Sequence, residues 1–540
     1  MGIPSYFSYI VKNHTYIIQK LTKNKINIDN FYLDCNSIVY DCVHNLHIDK
    51  NNVNVDNLYN VYTDTIIHNV CVKIEEYINT IQPTNNIFIA FDGVAPVAKL
   101  EQQRSRRYKS TYQQNISKAI FKDKQEDPWN TTAITPGTVF MSKLNSKIKE
   151  KFHKMEKKYK VSKIILSTSD EHGEGEHKLF KYIRDYPDEH TSKNTIVYGL
   201  DADLIMLAIN HLPISNIYLF RETPSFIKSI HVDLEPNETY LLDIPELAKT
   251  IILEMNNDND EMTTKEQHNR IYDYIFMCFF LGNDFMPHFP SINIRTGGVN
   301  KMMNAYKATI GNTKENLTDG TTIYWKNVKK LVTFLANMEE EYLKTESKQR
   351  NKIENNKLAN NTPEEKWRYF DSIPVYERSI EKYINVTKSG WQNRYYKSLF
   401  EIEIDDLRKK QICVNYLEGL EWTMKYYTTG CPDWRWCYNY CYPPLLSDLL
   451  HYIPYFETTF ITSKPEEPVN QLVQLCYVLP KQHLSLLPEK LYMELINKHS
   501  NWYKNDCQFI WAYCRYFWEA HVVLPHIELD ELIKFVNSFK

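Results

Sequence analysis

The chain has 540 residues, with 64 Lys and Arg against 67 Asp and Glu (net charge −3), 43% hydrophobic and 14% aromatic residues. This supplies a large core and excludes disorder, collagen and coiled coil as descriptions of the whole. Near-neutral charge also excludes a uniformly cationic coat, so any anion site has to be a local patch.

No apolar run reaches the roughly 18 residues of a membrane helix, so no membrane partner is expected. The 11 cysteines are odd in number, contain no CxxC pair and follow no hydrophobic leader. A reducing, cytoplasmic location is expected, with the nucleus left open. Tyr6 stands where a myristoylation signal wants Ser or Thr.

Along residues 1–300, short apolar runs alternate with amphipathic stretches, which predicts an α/β region with a mostly parallel central sheet flanked by helices. An apolar run ends in an acid four times: FYLD at Asp34, IFIAFD at Asp92, IVYGLDAD at Asp201 and Asp203, and FMCFFLGND at Asp284. A fifth run, KIILSTSDEHGEGEHK, passes through a polar turn to Glu174 and Glu176. Residues 300–370 read as a helix carrying Val328, Leu331, Val332, Leu335 and Met338, running into a polar connecting insertion, KTESKQRNKIENNKLANNTPEEK, expected to be exposed and mobile. Residues 370–540 are helix-patterned and dense in Tyr and Trp, and are expected to pack on the first region as one composite body.

In an open parallel sheet, ligands bind beyond the carboxyl ends of the strands, so acids distant in sequence can converge there. Seven carboxylates in one cleft repel by several kcal/mol at an effective dielectric near 20, and hard divalent cations with oxygen ligands neutralise such a cluster. A lone Asp after a strand is more often a turn former or helix cap. The repetition, with Gly93, Gly173, Gly175, Gly199 and Gly282 each within two residues of one of these acids, favours a two-ion site for phosphodiester hydrolysis.

Directly after Asp92 comes GVAPVAKLEQQRSRRYKS, with Lys99, Arg104, Arg106, Arg107 and Lys109 close together. On a helix, Lys99, Gln103 and either Arg106 or Arg107 share a face that could hold a terminal phosphate. A solvated basic face or a nuclear-localisation cluster is the plain alternative.

Other motifs do not hold up. GEGEHK lacks the third glycine of a dinucleotide loop, having Leu179 there. His172 and His177 form neither HExxH nor HxxEH. Cys431, Cys437, Cys441 and His451 match no standard zinc spacing.

The segments MGIPSYFSYI, YLDCNSIVY, FDGVAPVAKLEQQRSRRYK, ITPGTVFM, GEGEHK, GLDADLIMLA, FLGNDFMPHFPSINIRTGG, YLEGLEWTMKYY and CPDWRWCYNYCYPP resemble the XRN family of 5′-to-3′ exoribonucleases, in the family's order. The resemblance implies a PIN/FEN-like 5′ nuclease core and processive hydrolysis of single-stranded RNA with a 5′ monophosphate to mononucleotides. It implies two Mg²⁺ ions, with Mn²⁺ as a substitute, held by Asp34, Asp92, Glu174, Glu176, Asp201, Asp203 and Asp284. It also implies a 5′-phosphate pocket of Lys99, Gln103, Arg106 and Arg107. Tyr40 stands where the family has a base-stacking His, and Trp436 or Trp434 would be its partner. The chain leaves no room for the long C-terminal extension of some members; a monomer is expected, and no protein partner can be deduced. The alternatives are a structure-specific 5′ nuclease acting on DNA and a non-catalytic protein that binds RNA 5′ ends.

Overall fold

The computed structural model describes residues 3, 5–21, 26–46, 58–122, 129–257, 261–356, 358–505 and 507–539, so Met1, Gly2 and Pro4 of the opening motif lie outside the described residues. Seven strands, β1 (Ile18–Lys20), β2 (Asn30–Asp34), β3 (Asn86–Ala90), β4 (Lys163–Ser167), β5 (Asn194–Tyr198), β6 (Asn216–Glu222) and β7 (Thr239–Asp243), form one sheet in the order β1-β7-β6-β5-β2-β3-β4. Neighbours from β4 through β3, β2 and β5 to β6 run parallel, while β7 and β1 close one edge antiparallel. β2 and β3 are buried throughout, which is why their sequences are continuous apolar runs instead of alternating ones.

From β2 the chain moves outward to β3 and β4, then returns to the other side of β2 for β5 and β6. This reversal of direction opens a crevice between β2 and β5 at their carboxyl ends, the usual ligand position in such sheets. The candidate acids stand there.

Beyond the sheet the regular elements are mostly helices, joined by irregular segments such as residues 429–445 and 453–470, with a hairpin of β8 (Gln508–Ile510) and β9 (His521–Val523). The largest core cluster runs from Ile3 to Ile461 and joins sheet-flanking side chains such as Leu207 to helical-region ones such as Trp422. Side chains of the two regions thus share one core cluster. Among the described residues, no helix is long and apolar enough to cross a membrane.

The first part of the polar stretch, up to Glu354, differs from its reading as an exposed connection, while most described residues from 355 to 366 are exposed. Helix Trp325–Glu354 continues well into it, with Glu346 and Arg350 buried. Arg350 donates to both oxygens of Glu381, at 2.9 and 2.7 Å, and to the carbonyl of Pro374 at 2.9 Å. Composition reports such residues as solvated because the partner that makes burial tolerable sits on a later helix.

Candidate active site

Asp34 ends β2, and Asp92 follows β3 by two residues. Glu174 and Glu176 open the helix Gly175–Asp185 after β4; Asp201 and Asp203 occupy the turn and first helical residue after β5. Glu174, Glu176 and Asp203 thus lie at helix N-termini, where backbone dipoles favour negative charge. Asp284 comes from a separate direction, a loop after the helix Thr264–Phe279.

Two local devices bring the acids together. The Gly175 amide donates to Asp92 Oδ1 at 2.7 Å, and a methyl group on Gly175 would lie 2.4 Å from Asp34 Oδ1. Only glycine allows both carboxylates this close to the helix start. Asn36 then clamps Asp92 from the other side, donating from Nδ2 to Oδ2 at 2.6 Å and accepting the Asp92 amide at 3.1 Å.

The charges of these acids act on one another. Burial, with the charges of Asp92 and Asp201, pushes the Asp34 carboxyl well above its ordinary range. Burial likewise raises Glu174 and Glu176 against the pull of Lys99, with Asp92 adding at Glu174. Asp203 is pushed up to about 7 by burial and by Asp284. At Asp284 burial acts upward, yet Lys99 holds its carboxyl well below the usual carboxylate range.

A buried cluster of this kind needs cations, and two oxygens offer themselves for them: Asp34 Oδ1 and Asp203 Oδ1 are buried without a hydrogen-bond partner. Orphaned anionic oxygens are costly unless a ligand satisfies them. The donor set is carboxylate oxygen, which suits a hard divalent ion. Ligand atoms of Glu174, Glu176 and His177 also fall within 4.8 Å of one another, the one such grouping among the described residues.

The basic segment forms the helix Val97–Ile120, and its cations divide by face. Lys99 Nζ lies 2.5 Å from Glu174 Oε2 and 2.7 Å from Asp284 Oδ2, so it stands inside the acidic cluster. Gln103 is buried with Oε1 unpartnered, and Arg107 donates from Nη2 to Thr135 Oγ1 at 2.7 Å while its Nη1 has no partner. Burial lowers Arg107 to about 10, whereas at Arg106 burial is outweighed by Tyr40, Asp284, Asp201 and Asp92. Arg104 and Lys109 point elsewhere, to the carbonyls of Pro525 (2.9 Å) and Trp518 (2.8 Å).

Tyr40 is half-buried on the helix Asn36–His44, within electrostatic reach of both arginines. Trp436 is buried and stacked on Trp422 at 5.2 Å, whereas Trp434 is partly exposed and edge-on to His172 at 5.6 Å. Asn36, Lys178 and Tyr426 were not singled out by the sequence reading. Lys178 donates to the carbonyls of Phe91 (2.7 Å) and Thr168 (3.0 Å), tying together the ends of β3 and β4. Tyr426 donates to Glu174 Oε1 at 2.8 Å. All three lie in segments that carry the family resemblance, Asn36 in YLDCNSIVY, Lys178 in GEGEHK and Tyr426 in YLEGLEWTMKYY, but nothing local in those segments marks their partners.

The family model described as XRN 5′-3′ exonuclease N-terminus matches residues 1–223, and the Xrn1 helical domain matches 264–379 and 374–540. The chain belongs to the XRN family. It is 26% identical to the 5′-3′ exoribonuclease 2 homolog of Drosophila melanogaster, covering 99% of this chain and 70% of that protein. It is 26% identical to 5′-3′ exoribonuclease 1 of Saccharomyces cerevisiae and 28% to that of Homo sapiens, over the whole chain but only 43% and 34% of those relatives. The N-terminal match holds β1 to β6 and six of the acids, whereas Asp284, Tyr426, Trp434 and Trp436 lie in the helical match.

Proposed function

We propose that this XRN protein is a 5′-to-3′ exoribonuclease that hydrolyses single-stranded RNA bearing a 5′ monophosphate, one nucleotide at a time. The observation that carries this reading is the convergence of seven carboxylates, with two orphaned buried oxygens, beside the Gln103–Arg106–Arg107 face of the basic helix. Asp34, Asp92, Glu174, Glu176, Asp201, Asp203 and Asp284 would hold two Mg²⁺ ions, for which Mn²⁺ can substitute. Bound there, such ions supply an activated water and stabilise the leaving oxygen of an in-line displacement at phosphorus.

The protein's own contribution is placement. Gly175 and Asn36 fix Asp92, and Lys99 fixes Glu174 and Asp284, so the carboxylates need not reorganise as charge develops. Arg107, anchored through one nitrogen to Thr135, keeps the other for a phosphate oxygen, and Arg106 adds a second fork beside it. A terminal phosphate gripped there positions the next phosphodiester over the acids. Tyr40, beside the same arginines, offers a ring face for the terminal base; of the two tryptophans, Trp434 has the more open face.

The test is Mg²⁺-dependent decay of one RNA carrying a 5′ monophosphate, hydroxyl or triphosphate, alongside the matching single-stranded DNA. Fast release of mononucleotides from the monophosphorylated RNA alone is the expected result. Equal rates on all three RNA ends would remove the phosphate pocket from the reading, and a preference for DNA would remove the RNA assignment.

A further inference from the structure

Glu174 has its two carboxylate oxygens held by residues far apart in the chain, one of them from the helical region. Lys99, on the helix after β3, takes Oε2 at 2.5 Å; Tyr426, 252 residues beyond Glu174, takes Oε1 through its hydroxyl at 2.8 Å. Tyr426 lies near the carboxyl end of helix Asp406–Thr428 and is buried, which shields this bond from bulk solvent.

The ring that carries the hydroxyl has little freedom. It stacks flat on His177 with centroids 3.8 Å apart, lies 4.8 Å from Trp422, and meets the edge of Phe285 at 5.5 Å. Trp422 is itself pinned, donating from Nε1 to the Asp433 carbonyl at 2.8 Å. Phe285 directly follows Asp284, and His177 directly follows Glu176. One aromatic stack from the helical region therefore touches the chain beside two of the acids, Glu176 and Asp284, and hydrogen-bonds a third, Glu174.

We propose that Tyr426 is a positioning residue for the metal site: its hydroxyl, held by the stack on His177 and Trp422, orients the Glu174 carboxylate toward a divalent cation. The inference rests on the reading of Glu174 as a metal ligand. Partners behind a ligand set its orientation and basicity, and their loss typically costs about 10–100-fold in metal affinity or activity. On this view the helical region completes the metal site in addition to covering it.

The test compares Mn²⁺ binding to the full chain without RNA, by calorimetry or by the loss of free-ion signal, for Tyr426→Phe, Glu174→Gln and Tyr395→Phe. Tyr395 is the control: its buried hydroxyl donates to the Pro443 carbonyl at 2.9 Å, away from the acids. Tyr426→Phe is expected to weaken Mn²⁺ binding about tenfold or more, with a melting temperature in EDTA no lower than that of Tyr395→Phe, whose Mn²⁺ affinity stays at the wild-type level. Cleavage by Tyr426→Phe should recover toward wild type as Mn²⁺ is raised. If Glu174→Gln weakens binding and Tyr426→Phe does not, the positioning role is overturned. If neither changes binding, the assignment of Glu174 as a ligand fails, and the inference with it. A Tyr426→Phe protein that melts far below the control in EDTA and binds Mn²⁺ normally would reduce the tyrosine to packing.

Discussion

The carboxylates at the end of the sheet hang on short turns and repel one another, whereas the side chains of helix Asp406–Thr428 behind them are locked ring against ring. The first group stores unfavourable energy: burial and mutual repulsion raise Asp34, Glu174, Glu176 and Asp203. The second supplies apolar packing, with Trp422, Tyr416 and Tyr427 almost fully buried. A charged site of this density persists because the surrounding structure over-determines it. Here the surroundings are an aromatic wall contributed by the other half of the chain.

This contrast can be broken from the acidic side first. Asp34→Asn should lower RNA cleavage by about 10³-fold or more, several kcal/mol of lost transition-state stabilisation. The same variant should melt higher in EDTA, because it removes a buried charge that its neighbours disfavour. Single-turnover decay and thermal unfolding together check this, and a variant that loses activity and stability alike would contradict it.

On the aromatic side, Gly419→Ala forces a methyl to within 2.1 Å of Met286 Sδ and 2.9 Å of Trp436. Overpacking of this kind costs about 1–3 kcal/mol, measurable by denaturant unfolding in EDTA. Mn²⁺ affinity should change less than it does in Tyr426→Phe, since no hydrogen bond to an acid is lost. A larger loss of Mn²⁺ affinity would mean that the wall acts by shape alone.

Arg107→Ala sharpens the comparison at the pocket. It should raise KM for 5′-monophosphorylated RNA about tenfold, in line with the loss of one charge-assisted contact, and leave KM for 5′-hydroxyl RNA nearly unchanged. Equal effects on both substrates would assign Arg107 to general RNA attraction.

The smallest effect concerns a buried acid outside the site. Glu339 accepts the amides of Leu446 and Ser447 at 2.8 and 3.2 Å, and burial pushes it up to about 7. Because the folded pKa is raised, the folded state binds the proton more tightly than the unfolded chain does. The stabilisation is complete below the ordinary Glu range and is lost as pH rises through about 7. Unfolding in EDTA between pH 5 and 8 should lose on the order of 1 kcal/mol from this group, and Glu339→Gln should flatten that slope.

Much of the fold was legible because burial on both faces leaves a signature in the chain: FYLD, IFIAFD and IVYGLD are uninterrupted apolar runs, and they are β2, β3 and β5 with the turns that follow. The acids at their ends were legible for the same reason, since a charge closing an apolar run is conspicuous. Arg350 and Glu381 were not legible, because an ion pair looks like solvated surface until its partner is known. Trp434 and Trp436 were indistinguishable by composition; only packing separated the one against Trp422 from the one left partly open.

The sequence by itself determined the α/β class and the basic helix, and it marked seven acids as candidates, six of them at or after strand ends and Asp284 after a helix, because a charge closing an apolar run is a local pattern. The tertiary structure alone decided that Lys99 stands between Glu174 and Asp284, and that Tyr426 reaches Glu174 from 252 residues away. Such contacts depend on how two regions dock, and a hydroxyl or ammonium group carries no mark of its partner until the chain has folded.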